Sequence, residues 1–124
     1  MQDGKHVILC IDDDPDVNDY LNTVLTANGY AVETAPSGEQ GLKVFKQAQP
    51  DLVIVDLMME EVDAGTAFVK ELKVLGAEVP IFMLSSVGDN LNMMTDYNAL
   101  GLSGVFQKPI DDEKLLSVVA AKLK

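Results

Sequence analysis

Apolar residues along this chain fall into two alternating rhythms. His6–Ile11, Leu52–Val55 and Val79–Leu84 are short, nearly unbroken apolar runs rich in β-branched residues. Such runs predict strands buried on both faces, because a half-solvated strand would alternate apolar with polar. Between them the apolar residues recur at spacings of three and four, the mark of a helix with one buried face. Val17, Leu21, Val24 and Leu25 predict a helix over Pro15–Ala27, and Leu42, Val44 and Phe45 one over Gly38–Gln47. Ala67, Phe68 and Leu72 predict a third over Ala64–Leu75, and two more are expected over Asp89–Leu100 and Asp111–Leu123. Asn28-Gly29, Pro36-Ser37-Gly38, Pro50, Gly76 and Gly101 punctuate these segments as caps and turns. Tyr30–Thr34 and Gly104–Gln107 complete a set of five strands.

Five strand-then-helix units imply an α/β fold: a parallel sheet with helices on both faces. Right-handed crossovers leave few arrangements. The doubly wound order 2-1-3-4-5 sets strands 1 and 3 side by side at a switch point, where ligands bind beyond the carboxyl ends of the strands. The sequence is rich in chemistry at those ends. Strand 3 stops abruptly at Asp56, and strand 1 runs into Asp12-Asp13-Asp14. Like charges so close cannot all stay ionised without a cation. An oxygen-only set without His or Cys suits a hard ion, magnesium first. Asp14 precedes Pro15 and reads as the helix cap, which leaves Asp12 and Asp13 for the metal. Ser85 ends strand 4 and brings a hydroxyl; Lys108 ends strand 5 and brings a positive charge. Taken singly, each has a duller reading. A strand-end acid is as often a helix cap, a lone serine a turn residue, and a lone lysine a solvated side chain. Four strand ends converging on one edge favour a site.

Charge narrows the partners. The net charge is −11, with nine lysines and no arginine among the basic residues. That balance repels nucleic acid and anionic membrane. It also withholds the guanidinium fork, so a phosphate site would rely on metal, lysine and backbone groups. A chain of 124 residues that is 48% hydrophobic is expected to fold as one domain, residues 1–124. No apolar run approaches a membrane span and no leader precedes the first strand, which fits a cytoplasmic protein. The single cysteine, Cys10, lies within the first strand as a small core residue.

The motifs Ile11-Asp-Asp-Asp-Pro15, Asp51-Leu-Val-Ile-Val-Asp56-Leu-Met-Met59, Met83-Leu-Ser-Ser86 and Gly104-Val-Phe-Gln-Lys-Pro109 resemble the receiver domain of two-component response regulators. The resemblance spans nearly the whole chain, and the order and spacing of the motifs make it specific. It implies a flavodoxin-like, receiver-type fold. It also implies that Asp56 accepts a phosphoryl group from a sensor histidine kinase or phosphotransfer protein. Asp13 would bind Mg2+ directly and Asp12 through water, with Asp56 and the Met58 carbonyl as further ligands. Ser85 would bond a phosphoryl oxygen and Lys108 would pair with the phosphoryl group. Phosphorylation would then switch binding to an effector protein or output domain. Such a domain is no enzyme in the usual sense; it assists its own phosphorylation and dephosphorylation.

Three departures from the family pattern stand out. The usual Met-Pro-Gly-x-Asp-Gly turn is here Met59-Glu-Glu-Val-Asp-Ala64, Ser85 replaces the commoner threonine, and Val105 stands where an aromatic often turns on activation. Phe106 cannot take over, because neighbours on a strand face opposite ways. Other functions compete with the receiver reading. A flavin-binding domain would need a Ser/Thr/Gly-rich loop after strand 1, where this chain has aspartates. An aspartyl phosphatase would usually place a second acid two residues after the first, where Met58 stands. A receiver-like interaction domain that is never phosphorylated is the remaining alternative.

Overall fold

The computed structural model describes residues 4–56, 64–76, 78–85, 103–107 and 110–123. Its elements are β1 (Val7–Ile11), α1 (Pro15–Ala27), β2 (Ala31–Ala35), α2 (Gly38–Ala48), β3 (Leu52–Asp56), α3 (Ala64–Val74), β4 (Ile81–Ser85), β5 (Gly104–Gln107) and α4 (Asp112–Lys122). The helix expected over Asp89–Leu100 lies outside the described residues. The strands form one sheet, order β2-β1-β3-β4-β5, with every pair parallel.

The unbroken apolar runs are the reason for the layers. Each central strand buries alternate residues on opposite faces, so both faces need a cover. Leu9, Ile11, Val53, Val55 and Met83 pack with Phe68 and Leu72 of α3 and with Leu42, Val44 and Phe45 of α2. On the other face Ile8, Cys10, Leu52, Ile54 and Leu84 pack with Leu21 and Leu25 of α1 and Leu115 and Val119 of α4. Gly41 is where α2 lies tightest on the sheet: a Cβ there would collide with the Ile11 side chain and press on Phe68.

Helix ends follow local chemistry. Asp14 caps α1 by accepting from the Asp16 amide, Ser37 caps α2 through the Gln40 amide, and Asp111 caps α4 through the Glu113 amide. Gly29 and Gly76 close α1 and α3 at positive φ. After α2 the left-handed position falls instead on Gln49, with φ 50° and ψ 63°. A side chain in that region costs about 1–2 kcal/mol, partly offset by the lower backbone entropy of a non-glycine residue. Gln49→Gly should therefore raise stability by about 0.5–1 kcal/mol, read from chemical denaturation as a higher midpoint at unchanged slope.

Of the strand boundaries that differ from their expected places, two have reasons visible in the backbone. The Tyr30 amide donates to the Leu25 carbonyl to close α1, so β2 begins one residue later, at Ala31. Pro80 has no amide to give to a ladder, so β4 begins at Ile81 rather than Val79, while the Pro80 carbonyl accepts from the Val53 amide.

Candidate functional site

Register decides what the strand ends can do together. At the amino edge of the sheet Asp51 clamps β3 to β1. Its amide donates to the Val7 carbonyl at 2.7 Å, and its Oδ2 accepts from the Val7 amide at 2.8 Å. From that clamp the ladder runs Ile8↔Leu52 to Ile11↔Val55 without a slip, so Asp12 and Asp56 arrive at the opposite edge side by side. On the far side Asp56 pairs with Leu84, which brings Ser85 one residue beyond it, and Ser85 pairs with Gln107. A one-residue slip in either ladder would separate these groups.

The carboxylates of Asp12, Asp13 and Asp56 offer oxygens that all lie within 4.8 Å of one another. Asp12 and Asp56 are buried, at 1% and 4% exposure, whereas Asp13 is exposed. Two of the three acids are thus buried and the third is open to solvent. The donor set is three carboxylates with no nitrogen or sulfur, so the residues present fit a small hard cation. Asp14 caps α1 as expected, and Asp12 and Asp13, expected as metal ligands, lie with Asp56 in the acidic cluster. Ser85 is buried at 1% exposure at the end of β4. Met58 and Lys108 lie outside the described residues, as does the Met59–Asp63 stretch where the chain departs from the family pattern.

Two backbone features hold Asp12 in place. Its Oδ1 accepts from the Asp14 amide at 2.9 Å, folding the acidic run back toward α1. Its own amide donates to the Ala35 carbonyl at the end of β2. Asn18, buried on the inner face of α1, is a residue that helical periodicity did not single out. Its Nδ2 donates to the Asp12 carbonyl at 2.9 Å and to the Ala35 carbonyl at 3.1 Å. The available signal was a polar residue three before Leu21 and seven before Leu25, inside an otherwise apolar stripe. Tyr20, one turn into α1, donates its hydroxyl to the Ile110 carbonyl and so ties α1 to the chain that follows Lys108-Pro109. Partial burial, and then the carboxylates of Asp112 and Asp111, raise its pKa, which keeps the phenol a donor.

Val105 and Phe106 face opposite ways, as strand geometry requires. Val105 packs on the Leu9–Met83 side, and Phe106 lies on the other face against Phe82, ring centroids 5.2 Å apart. Gly104 is what lets that ring approach: a Cβ there would stand 2.9 Å from the Phe82 ring.

Cys10 sits directly beneath the site in β1, fully buried, and burial pushes its pKa up to about 12. The folded protein favours the neutral thiol, so this stabilisation is complete below pH 9 and is lost as pH rises toward 12. Native protein at pH 8 should not react with a thiol-exchange reagent, while unfolding in guanidinium should release one equivalent.

Among the described residues no helix is long and apolar enough to cross a membrane. The model of the response regulator receiver domain matches residues 8–120. The chain is 35% identical over 120 residues to "Probable transcriptional regulator ycf27" of Guillardia theta, covering 97% of this chain and 46% of that protein. It is 34% identical over 118 residues to the "DNA-binding dual master transcriptional regulator RpaA" of Synechocystis, covering 94% and 48%. The chain thus spans about half the length of the curated relatives it matches. Among solved structures, the chemotaxis response regulator CheY4 of Vibrio cholerae superposes with a TM-score of 0.85 at 28% identity, covering 96% of this chain and 99% of that one. The parallel order β2-β1-β3-β4-β5, the acidic cluster at its carboxyl edge and these similarities agree: the chain belongs to the response regulator receiver domain family.

Proposed function

We propose that this receiver is a working phosphoacceptor: Asp56 takes a phosphoryl group from a phosphohistidine and passes the signal on through changed protein contacts. The observation that carries the reading is the nearly buried Asp56, held within 4.8 Å of two further carboxylates at the open edge of the sheet. A stability-driven sequence has no use for three acids there. A metal-assisted phosphoryl transfer does.

In the proposed transfer an Asp56 oxygen attacks phosphorus in line as the phosphorus–nitrogen bond to the donor imidazole breaks, and the imidazole leaves to recover a proton from solvent. Such transfers need positioning and charge neutralisation more than covalent help. Asp13, Asp56 and the Met58 carbonyl would hold Mg2+, with Asp12 acting through water. When bound, the ion supplies charge neutralisation for the phosphoryl oxygens. Lys108 would supply a second positive charge, and the Ser85 hydroxyl would donate to a phosphoryl oxygen. The protein would act on itself alone, assisting its own phosphorylation and dephosphorylation. Its partners would be a sensor histidine kinase or a phosphotransfer protein upstream and an effector protein or output domain downstream.

Acetyl phosphate with Mg2+ tests the reading without a kinase. Intact-mass spectrometry should find one added phosphoryl group that hydroxylamine removes. Folded protein that stays unmodified under excess donor and Mg2+ would instead identify an interaction domain that is never phosphorylated, in line with the altered Met59–Ala64 segment.

A further inference from the structure

Asn18 is a buried polar residue with no part in the transfer just described. We infer that Asn18 is a positioning residue for Mg2+ binding: through the Asp12 backbone it sets the direction of the Asp12–Asp13 carboxylates. The inference rests on the proposed metal-assisted reading of the acidic cluster and concerns a residue that touches neither metal nor phosphate.

The geometry is specific. Asp12 leaves β1 at the point where the ladder to β2 ends, and its amide is held by the Ala35 carbonyl at 3.2 Å. Asn18 reaches back from α1 and gives one amide hydrogen to the Asp12 carbonyl and the other to Ala35. The peptide between Asp12 and Asp13 is thereby fixed by α1, and the rotation of that peptide sets where both carboxylates point. Groups behind a metal ligand orient it in this way, and their loss weakens metal binding even though no ligand is removed.

The energetics single out this position. Residue 18 is 7% exposed and shares the buried side of α1 with Leu21 and Leu25. Its Oδ1 is buried with no hydrogen-bond partner among the described residues. An orphaned carbonyl oxygen costs stability, and an apolar residue of the same size would avoid that cost and continue the stripe. Asparagine brings one thing leucine lacks, the paired donors to Asp12 and Ala35. Broken local rules of this kind occur at functional sites.

The test measures Mg2+ affinity by titration calorimetry on four proteins: parent, Asn18→Leu, Asn18→Ala and Val119→Ala. The last removes core volume from α4, at a residue that is no member of the acidic cluster, and controls for lost stability. All are titrated at a temperature where circular dichroism shows each folded. The Asn18 variants should bind Mg2+ about 10-fold more weakly than parent, with Val119→Ala unchanged. In the parent, the Asn18 side-chain amide resonances, identified by their absence from Asn18→Leu, should shift as Mg2+ is added. Equal affinity in parent and both Asn18 variants overturns the inference and leaves the metal site standing. An equal loss in Val119→Ala also overturns it, because affinity would then follow stability alone. A parent that binds no Mg2+ removes both the inference and the reading beneath it.

Discussion

Asp56→Asn should melt higher than the parent in the absence of metal and should take up no phosphoryl group at all. The two effects share one cause. Asp56 is nearly buried, and its carboxylate lies within 4.8 Å of those of Asp12 and Asp13. At an effective dielectric of roughly 20, unit charges at that distance repel by up to about 3 kcal/mol per pair. Solvent around the exposed Asp13 screens part of this, and the buried Asp12–Asp56 pair keeps most of it. Asparagine is nearly the same size and removes the charge without opening a cavity. A gain of about 1–2 kcal/mol is expected, several degrees in melting temperature for a domain of this size. Asparagine cannot form an acyl phosphate, so labelling by acetyl phosphate should fall to zero. Asp56→Asn that is less stable than parent without metal would show that the cluster is not under charge strain. Labelling that survives in the variant would place the acceptor elsewhere.

Asp13→Asn should weaken Mg2+ binding by at least about 10-fold, the scale on which even indirect metal contacts matter. Asp13 is the exposed member of the cluster, so the change disturbs no packing and the loss can be ascribed to the ligand itself. Its effect on metal-free stability should have the same sign as that of Asp56→Asn and be smaller, since water already screens the charge. The parent should gain melting temperature as Mg2+ is added, because a ligand that binds only the folded state stabilises it by mass action. In Asp13→Asn that gain should largely disappear at the same Mg2+ concentration. An undiminished Mg2+-dependent shift would exclude Asp13 as a ligand. Comparing the two variants separates chemistry from binding: Asp56→Asn abolishes the acceptor, whereas Asp13→Asn leaves it in place and slows labelling by an amount that high Mg2+ restores.

Much of this was legible in the chain. The unbroken runs Val7–Ile11 and Leu52–Val55 can bury both faces only in the middle of a sheet, and β-α alternation makes that sheet parallel, so the fold and the edge carrying the acids follow from pattern alone. Asp12, Asp13, Asp56 and Ser85 were named from the abrupt change from apolar to polar at strand ends. That signal is local, and so is Asp14 as a cap, which needs only the amide two residues on. Pattern was blind to contacts whose partner lies far along the sequence. Asp51 carried no signal of its partner, yet it clamps β3 to β1 from 44 residues away. Gln49 gave no glycine signal for the left-handed turn it occupies. Tyr20 lies off the apolar stripe of α1 and holds Ile110, 90 positions distant. Asn18 broke the apolar stripe of α1 without saying why, because the Ala35 carbonyl that answers it belongs to a different strand. Local periodicity determined which residues are buried and which edge is acidic. Only the packed sheet decided the register that brings the acids together and the polar contacts that aim them, because a hydrogen bond is satisfied by geometry in space and hydrophobic burial by pattern along the chain.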